Sequence, residues 1–470
     1  FLVVSDFIRW AKENGIRVGP GRGSGAGSMC AYAMKITDLD PIPHGLIFER
    51  FLNPERKSMP DFDVDFDDRR RPEVIRYVTE KYGSDKVAMI VTYGTIKAKQ
   101  AVKEAISILD KPKELGDRIT ETMPPTVFGR DVPLRSLFDK ESRQFQLGKE
   151  FRALCDSDPE VKHVVATAAG IENLKRQWGV HASGLVLANT PLIDIVPMMA
   201  RQSDGAIITQ FDYPTCGTLG LVKFDFLGVR NLRIIDDALR TIETTQGVTV
   251  DLDALGRNPT DRRTYQLLSR GDTIGVFGLA EPGMRDLLRL LGPDSLGDIS
   301  AALALYRPGS IRANAHIEFA LRKHGKKERI PFGPQFAQWR HLEVSAALEP
   351  ILRETHGLLV YQEQVMTIAQ QLAGYTLGSA DLLRRAMGKK KREVLDAEFV
   401  NFEAGMIANG FPKESVKALW DALLLFSHYA FNKAHTAAYG LVSYWTAYLK
   451  ANYPTEYMAA ERMRDAPELT

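Results

Sequence analysis

Three aspartates alternate with apolar residues in Asp61-Phe62-Asp63-Val64-Asp65-Phe66. As a strand, this puts Asp61, Asp63 and Asp65 on one face and Phe62, Val64 and Phe66 on the other. Alternate residues on a strand lie under ~7 Å apart at the backbone, so their carboxylates can converge on one cluster of cations. An acidic, solvated sheet edge is the plainer reading of such a run. Aspartate is a poor strand former, however, and three of them opposite an apolar face favour a divalent metal site. The hard oxygen donors select Mg²⁺ or Mn²⁺. A second alternating run, Leu221-Val222-Lys223-Phe224-Asp225-Phe226, places Lys223 and Asp225 on one face. Taken alone it is an exposed polar face; beside the first cluster Asp225 becomes a third ligand and Lys223 a phosphate partner. Near the N-terminus, Gly19-Pro20-Gly21-Arg22-Gly23-Ser24-Gly25-Ala26-Gly27-Ser28 runs straight into an apolar stretch. It matches neither GxGxxG nor GxxxxGK[ST], but backbone N–H groups of such a loop can converge on phosphate. Arg384-Arg385-Ala386-Met387-Gly388-Lys389-Lys390-Lys391-Arg392 contributes six basic residues without an acid, suited to polyphosphate or nucleic acid. Together these motifs point to metal-dependent nucleotidyl or phosphoryl transfer by two cations. His435 lacks a nearby carboxylate or cysteine in sequence and reads as structural or substrate-contacting.

The elements that must position these groups follow from pattern. Val4, Phe7, Ile8 and Ala11 recur at helical spacing until Asn14-Gly15. Pro72 opens a helix with Val74, Ile75 and Val78 on one side. The stretch from about Tyr93 to about Ala169 reads as largely helical, Gly184 to Ala188 as a buried strand, and the chain from about Asn231 onward as mostly helical. Ser379 reads as the N-cap of a short helix ending at Gly388. The 470 residues suggest about three domains at roughly 150 residues each. Balanced charge, 61 basic against 59 acidic residues, means that any basic surface is local. No run approaches the ~18–20 apolar residues of a membrane span. Cys30, Cys155 and Cys216 are too few and too scattered for a disulfide scaffold or a clustered-cysteine zinc site, which fits a reducing cytosol. The opening Phe1-Leu2-Val3-Val4-Ser5 does not read as a signal peptide, and the chain reads as an excerpt from something longer.

The strings PGRGSGAGS, FERFLNPER, MPDFDVDF, YGTIKAK, HASGLVLA, LVKFDFLG, YQEQVM, LLRRAMGKKK and FNKAHTAAYGLVSY closely resemble the bacterial replicative DNA polymerase III alpha subunits, the C-family DNA polymerases. The resemblance implies an α+β fold. A mixed-sheet palm of the polymerase-beta-like nucleotidyltransferase type (1–92 and 172–230) is split by a helical thumb (93–171) and followed by mostly helical fingers (231–470). It implies Asp61, Asp63 and Asp225 as catalytic metal ligands, with Asp65 demoted to a neighbour. Gly23, Ser24, Arg50, Lys223, Arg384 and Arg385 would contact the nucleotide. Two Mg²⁺ ions (or Mn²⁺), dNTPs and primer-template DNA are implied, in the cytoplasm at the nucleoid. Family members also meet the sliding clamp, clamp loader and proofreading subunit, through regions not expected here, and carry a PHP domain to which nothing corresponds. Ala434 stands where the family has Ser, and Tyr306-Arg307-Pro308-Gly309-Ser310 varies the family's FRPGP. Two other readings stand beside template-directed DNA synthesis: a DNA-binding fragment inactive without further domains, and a DxD glycosyltransferase using Asp61-Phe62-Asp63. The latter leaves the distant Asp225 and the basic stretch without a role.

Overall fold

The computed structural model describes the chain except for residues 57–61, 127–130, 143, 333–341, 390–391, 428 and 464–470. The fold is α+β. Among the described residues there are six strands: β1 (Phe62–Phe66), β2 (Val87–Thr95), β3 (Lys175–Leu187), β4 (Met198–Ala200), β5 (Ile207–Asp212) and β6 (Val222–Gly228). Two compact units result, one of residues 1–84 with 222–470 and one of residues 85–221.

In the first unit β1 and β6 pair in parallel. Their Phe66 and Phe226 rings pack against Phe7 of the Leu2–Glu13 helix, which buries Val4, Phe7, Ile8 and Ala11 as its spacing requires. Gly15, at φ +68°, ends that turn in the left-handed region open to glycine. Helices dominate from Arg230 onward. The Lys433–Asn452 helix is buried on nearly every side, with Leu441, Tyr444 and Trp445 in a core shared with Leu288, Ile299 and Ala302. A second core gathers on the Gln362–Ala373 helix, with Val365, Met366 and Ile368 against Phe402, Met406 and Leu423. Gly405 is needed there, because a Cβ at that position would sit 1.9 Å from the Ala373 carbonyl oxygen.

In the second unit β2 lies between antiparallel β3 and parallel β5, and β4 adds antiparallel to β5. The helices joining β2 to β3 enclose their own core, with Val102, Ile119, Leu134, Phe151 and Val164 buried.

Three expectations change. Strand β2 continues to Thr95 and helix begins only at Ala98, so the helical stretch starts later than its composition suggests. Strand β3 starts at Lys175 rather than Gly184; its first three residues, Lys175, Arg176 and Gln177, are polar and exposed. Ser379 is not an N-cap: the helix spans Leu377–Lys389, and the Thr376 hydroxyl accepts the Ser379 N–H at 3.1 Å. Gly388 accordingly lies inside that helix. Cys30, Cys155 and Cys216 are free thiols. No described helix is long and apolar enough to cross a membrane.

Candidate functional site

Parallel pairing sets Asp63 directly opposite Asp225, between Phe62 opposite Phe224 and Val64 opposite Phe226. Neighbouring strands run ~4.8 Å apart, so two carboxylates issue side by side from one face while Phe62, Val64, Phe224 and Phe226 are buried on the other. Lys223 stands one pleat before Asp225 on that same face. Asp61 lies outside the described residues. Among the described residues no group of three or more metal-ligating side chains gathers, so two expected ligands are seen together and the third is not described. Two hard oxygen donors in register on one face fit a divalent cation.

Asp65 behaves differently. It is buried, and both its oxygens are engaged: Oδ1 accepts from Arg22 Nη1 at 2.9 Å and Oδ2 from the Tyr439 hydroxyl at 3.0 Å. Arg22 also donates to the Tyr439 oxygen. Burial pushes the Asp65 carboxyl above its ordinary value, and Arg22 offsets only part of that. At Arg22 burial works against the charge, yet Asp65, Tyr439 and Asp63 together outweigh it and the guanidinium is held more firmly protonated. The Tyr439 phenol is pushed up by burial and by Asp65. Asp65 thus clamps strand to helix through the Tyr439 hydroxyl and Arg22.

The glycine loop is zipped onto β1. Val18 bridges to Phe66, and the Gly19 N–H donates to the Asp65 carbonyl at 2.8 Å. Gly23 sits at φ +60° so close to the carboxylate face that a Cβ there would lie 3.8 Å from Asp63 Oδ2. Gly23–Gly27 forms a 3₁₀ turn that holds Ser24 half-buried, and Ser28 caps the next helix by accepting the Ala31 N–H at 3.1 Å. The Gly23 N–H itself is directed to His435 Nδ1 at 3.1 Å. Burial, then Arg22 and Arg307, lower the His435 imidazole to about 4, so the acceptor nitrogen stays unprotonated. The His435 ring lies 4.1 Å from that of Tyr439, one helical turn on, tilted by 38°. Through Nδ1 it ties the glycine loop to the Lys433–Asn452 helix.

The three arginines singled out from sequence lie together. Arg50 Nη2 and Arg384 Nη1 donate to one acceptor, Gln362 Oε1, at 3.0 and 3.3 Å. Arg384 Nε and Nη2 both reach Asp381 Oδ1, at 3.0 and 2.8 Å, and Arg385 Nε meets Asp381 Oδ2 at 2.8 Å. Asp381 is fully buried. On a helix, positions i, i+3 and i+4 share a face, which is why one aspartate serves both arginines. Burial, then the neighbouring Arg384, lower Arg50 to about 10, and its Nε is a buried donor with no hydrogen-bond acceptor among the described residues. Such a donor suits an anionic ligand. Lys390 and Lys391 of the basic run lie outside the described residues.

Next to Gln362, the fully buried Glu363 accepts the Lys433 N–H at 2.9 Å, capping the helix that carries His435 and Tyr439. Burial raises the Glu363 carboxyl. Arg22, Tyr439, Gln362, Glu363 and Asp381 are residues that sequence reasoning passed over. Two had a signal: Arg22 lies within the glycine loop, and Tyr439 follows His435 at helical spacing.

The chain matches two family models: the bacterial DNA polymerase III alpha NTPase domain over residues 1–228, and the bacterial DNA polymerase III alpha subunit finger domain over residues 231–410. It is 52% identical to a DNA polymerase III subunit alpha of Mycobacterium tuberculosis, over 98% of this chain and 38% of the relative. The subunit alpha of Thermus aquaticus is 46% identical over 98% of this chain and 36% of its own length. That of Escherichia coli is 44% identical over 99% and 39%. The chain thus spans about two fifths of the curated relatives it matches.

Proposed function

The chain belongs to the bacterial DNA polymerase III alpha family, and from that premise we propose that it is the polymerase core of a bacterial-type replicase. The reaction is template-directed DNA synthesis. The primer 3′-oxygen forms a bond to the dNTP α-phosphorus, the bond from that phosphorus to the bridging oxygen breaks, pyrophosphate leaves and the hydroxyl proton passes to solvent. The observation that carries this reading is Asp63 opposite Asp225 on one strand face, with Gly23 beside Asp63.

Asp61, Asp63 and Asp225 would hold two Mg²⁺ ions, or Mn²⁺ in their place. When bound, these supply Lewis acidity that makes the primer hydroxyl nucleophilic and offsets charge on the leaving group. The protein's own part is placement. The β1–β6 ladder fixes the carboxylates, Arg50, Arg384, Arg385 and Lys223 bind the triphosphate, and Gly23 and Ser24 close over it. His435 orients the loop through the Gly23 N–H, and the Asp65 clamp holds strand to helix. We assign the palm to 1–92 and 172–230, the thumb to 93–171 and the fingers to 231–470. Primer-template DNA and dNTPs are the substrates, in the cytoplasm. The sliding clamp, clamp loader and proofreading subunit would be met by the longer protein.

Single-nucleotide primer extension in Mg²⁺ by the chain and by its Asp63→Asn variant tests the proposal. Incorporation by the parent chain and its loss in the variant is expected; equal extension by both would refute the metal assignment. Because the chain spans only about two fifths of its relatives, a second reading stands, that of a DNA-binding part inactive without the rest. Salt-sensitive primer-template binding with no extension by either protein would favour it.

A further inference from the structure

Arg50 and Arg384 carry like charge, come from segments far apart in sequence, and are nevertheless held on a single oxygen atom. The oxygen belongs to Gln362, which is neutral and pinned at three points. Its backbone N–H donates to the Phe431 carbonyl at 2.8 Å, its side-chain Nε2 donates to the Ala430 carbonyl at 3.3 Å, and Oε1 is thereby turned toward the two guanidiniums at 3.0 and 3.3 Å. The amide cannot flip without facing its NH₂ to two cations and its oxygen to a carbonyl. Asp381 pairs with Arg384 and Arg385, while Gln362 accepts a hydrogen bond both from the arginine of the Phe48–Arg50 turn and from Arg384 of the Leu377–Lys389 helix.

We propose that Gln362 is a positioning residue that holds Arg50 and Arg384 as a preassembled pair for the triphosphate of the incoming nucleotide. This rests on the reading that these arginines bind the triphosphate. The physical argument is that a neutral acceptor is the group suited to the task. Two guanidiniums side by side repel and would drift apart in the free protein. Asp381 already gives Arg384 and Arg385 a carboxylate; a second one between Arg50 and Arg384 would offset more of the positive charge that phosphates need. An amide oxygen aligns both donors and adds no charge, leaving the buried Arg50 Nε for the ligand.

The test uses inorganic tripolyphosphate as the probe, titrated calorimetrically into the full 470-residue chain in EDTA, with thermal unfolding followed in parallel. Gln362→Met keeps length and charge and removes the acceptor. It should weaken tripolyphosphate binding about tenfold, the scale of one lost hydrogen bond to a charged group. Arg384→Ala should weaken binding by itself. In the Arg384→Ala background, Gln362→Met should cost little more, because the pair it aligns is already gone. That non-additivity is a readout a merely structural role would not give. Gln362→Leu serves as a second variant should Gln362→Met lower the unfolding temperature. Undiminished binding by a folded Gln362 variant overturns the inference, as do fully additive losses. Undiminished binding by Arg384→Ala overturns instead the reading of the arginines as triphosphate ligands, and the inference with it.

Discussion

Asp63 and Asp225 are placed by a backbone ladder, whereas Arg50, Arg384 and Arg385 are placed by side chains. On the strand pair, the position of each carboxylate follows from register, and the hydrogen bonds that fix it belong to the main chain. Around the arginines every fixed point is a polar side chain, Gln362 or Asp381, buried or half-buried among apolar helices. The difference suits the proposed ligands. Cations in such a site sit within a narrow range of metal–oxygen distances and need rigid donors. A polyphosphate tolerates more positions but needs several positive charges kept close together against their repulsion. One region is therefore robust to side-chain changes nearby, and the other depends on single acceptors.

The sharpest way to break this contrast is at the strands. Asp225→Asn should lower nucleotide incorporation by at least about 10³-fold while the fold and primer-template affinity hold, because the ladder needs no carboxylate. Primer extension beside a DNA-binding titration checks both halves. The arginine region should respond in the opposite manner. Asp381→Ala should cost about 3–5 kcal/mol of stability in urea unfolding, since it strips a buried counter-ion from two arginines. A loss under 1 kcal/mol would make the two regions alike. Next is a pH effect at the loop between them. Folded His435 stays neutral down to about pH 4, whereas the unfolded imidazole takes up its proton near 6.5. The unfolded state thus binds more protons in that window, and stability should fall as pH drops from 6.5 to 4, by on the order of 2–3 kcal/mol. His435→Asn should flatten that part of the urea midpoint against pH. The smallest effect belongs to Tyr439→Phe, about 1–2 kcal/mol, since Asp65 loses one donor and keeps Arg22.

The same contrast explains what could be read from the sequence. Alternation in Phe62–Phe66 and Val222–Gly228 displays the carboxylate face directly, because a strand's geometry is local and its period is two. The buried face of the Leu2–Glu13 helix was legible because helical spacing is equally local. That Asp225 stands opposite Asp63, and not a pleat away, is a matter of register and not of pattern. The partners of the arginines were out of reach: Gln362 meets Arg50 across 312 residues, and an uncharged glutamine at a helix start carries no mark of its role. Asp381 was hidden by expecting a cap at Ser379, when Thr376 starts the helix earlier. Asp65 could be seen as an acid in the run, but not its clamp, since Tyr439 lies 374 residues on.

Gln362 and Glu363 are adjacent residues with their backs to each other's work. One gathers the arginines; the other fastens the start of the helix whose Tyr439 grips β1 and whose His435 grips the glycine loop. A peptide bond is the stiffest connection a chain possesses. The arginine cluster and the helix that holds the glycine loop thus share one anchor, the start of the Gln362–Ala373 helix.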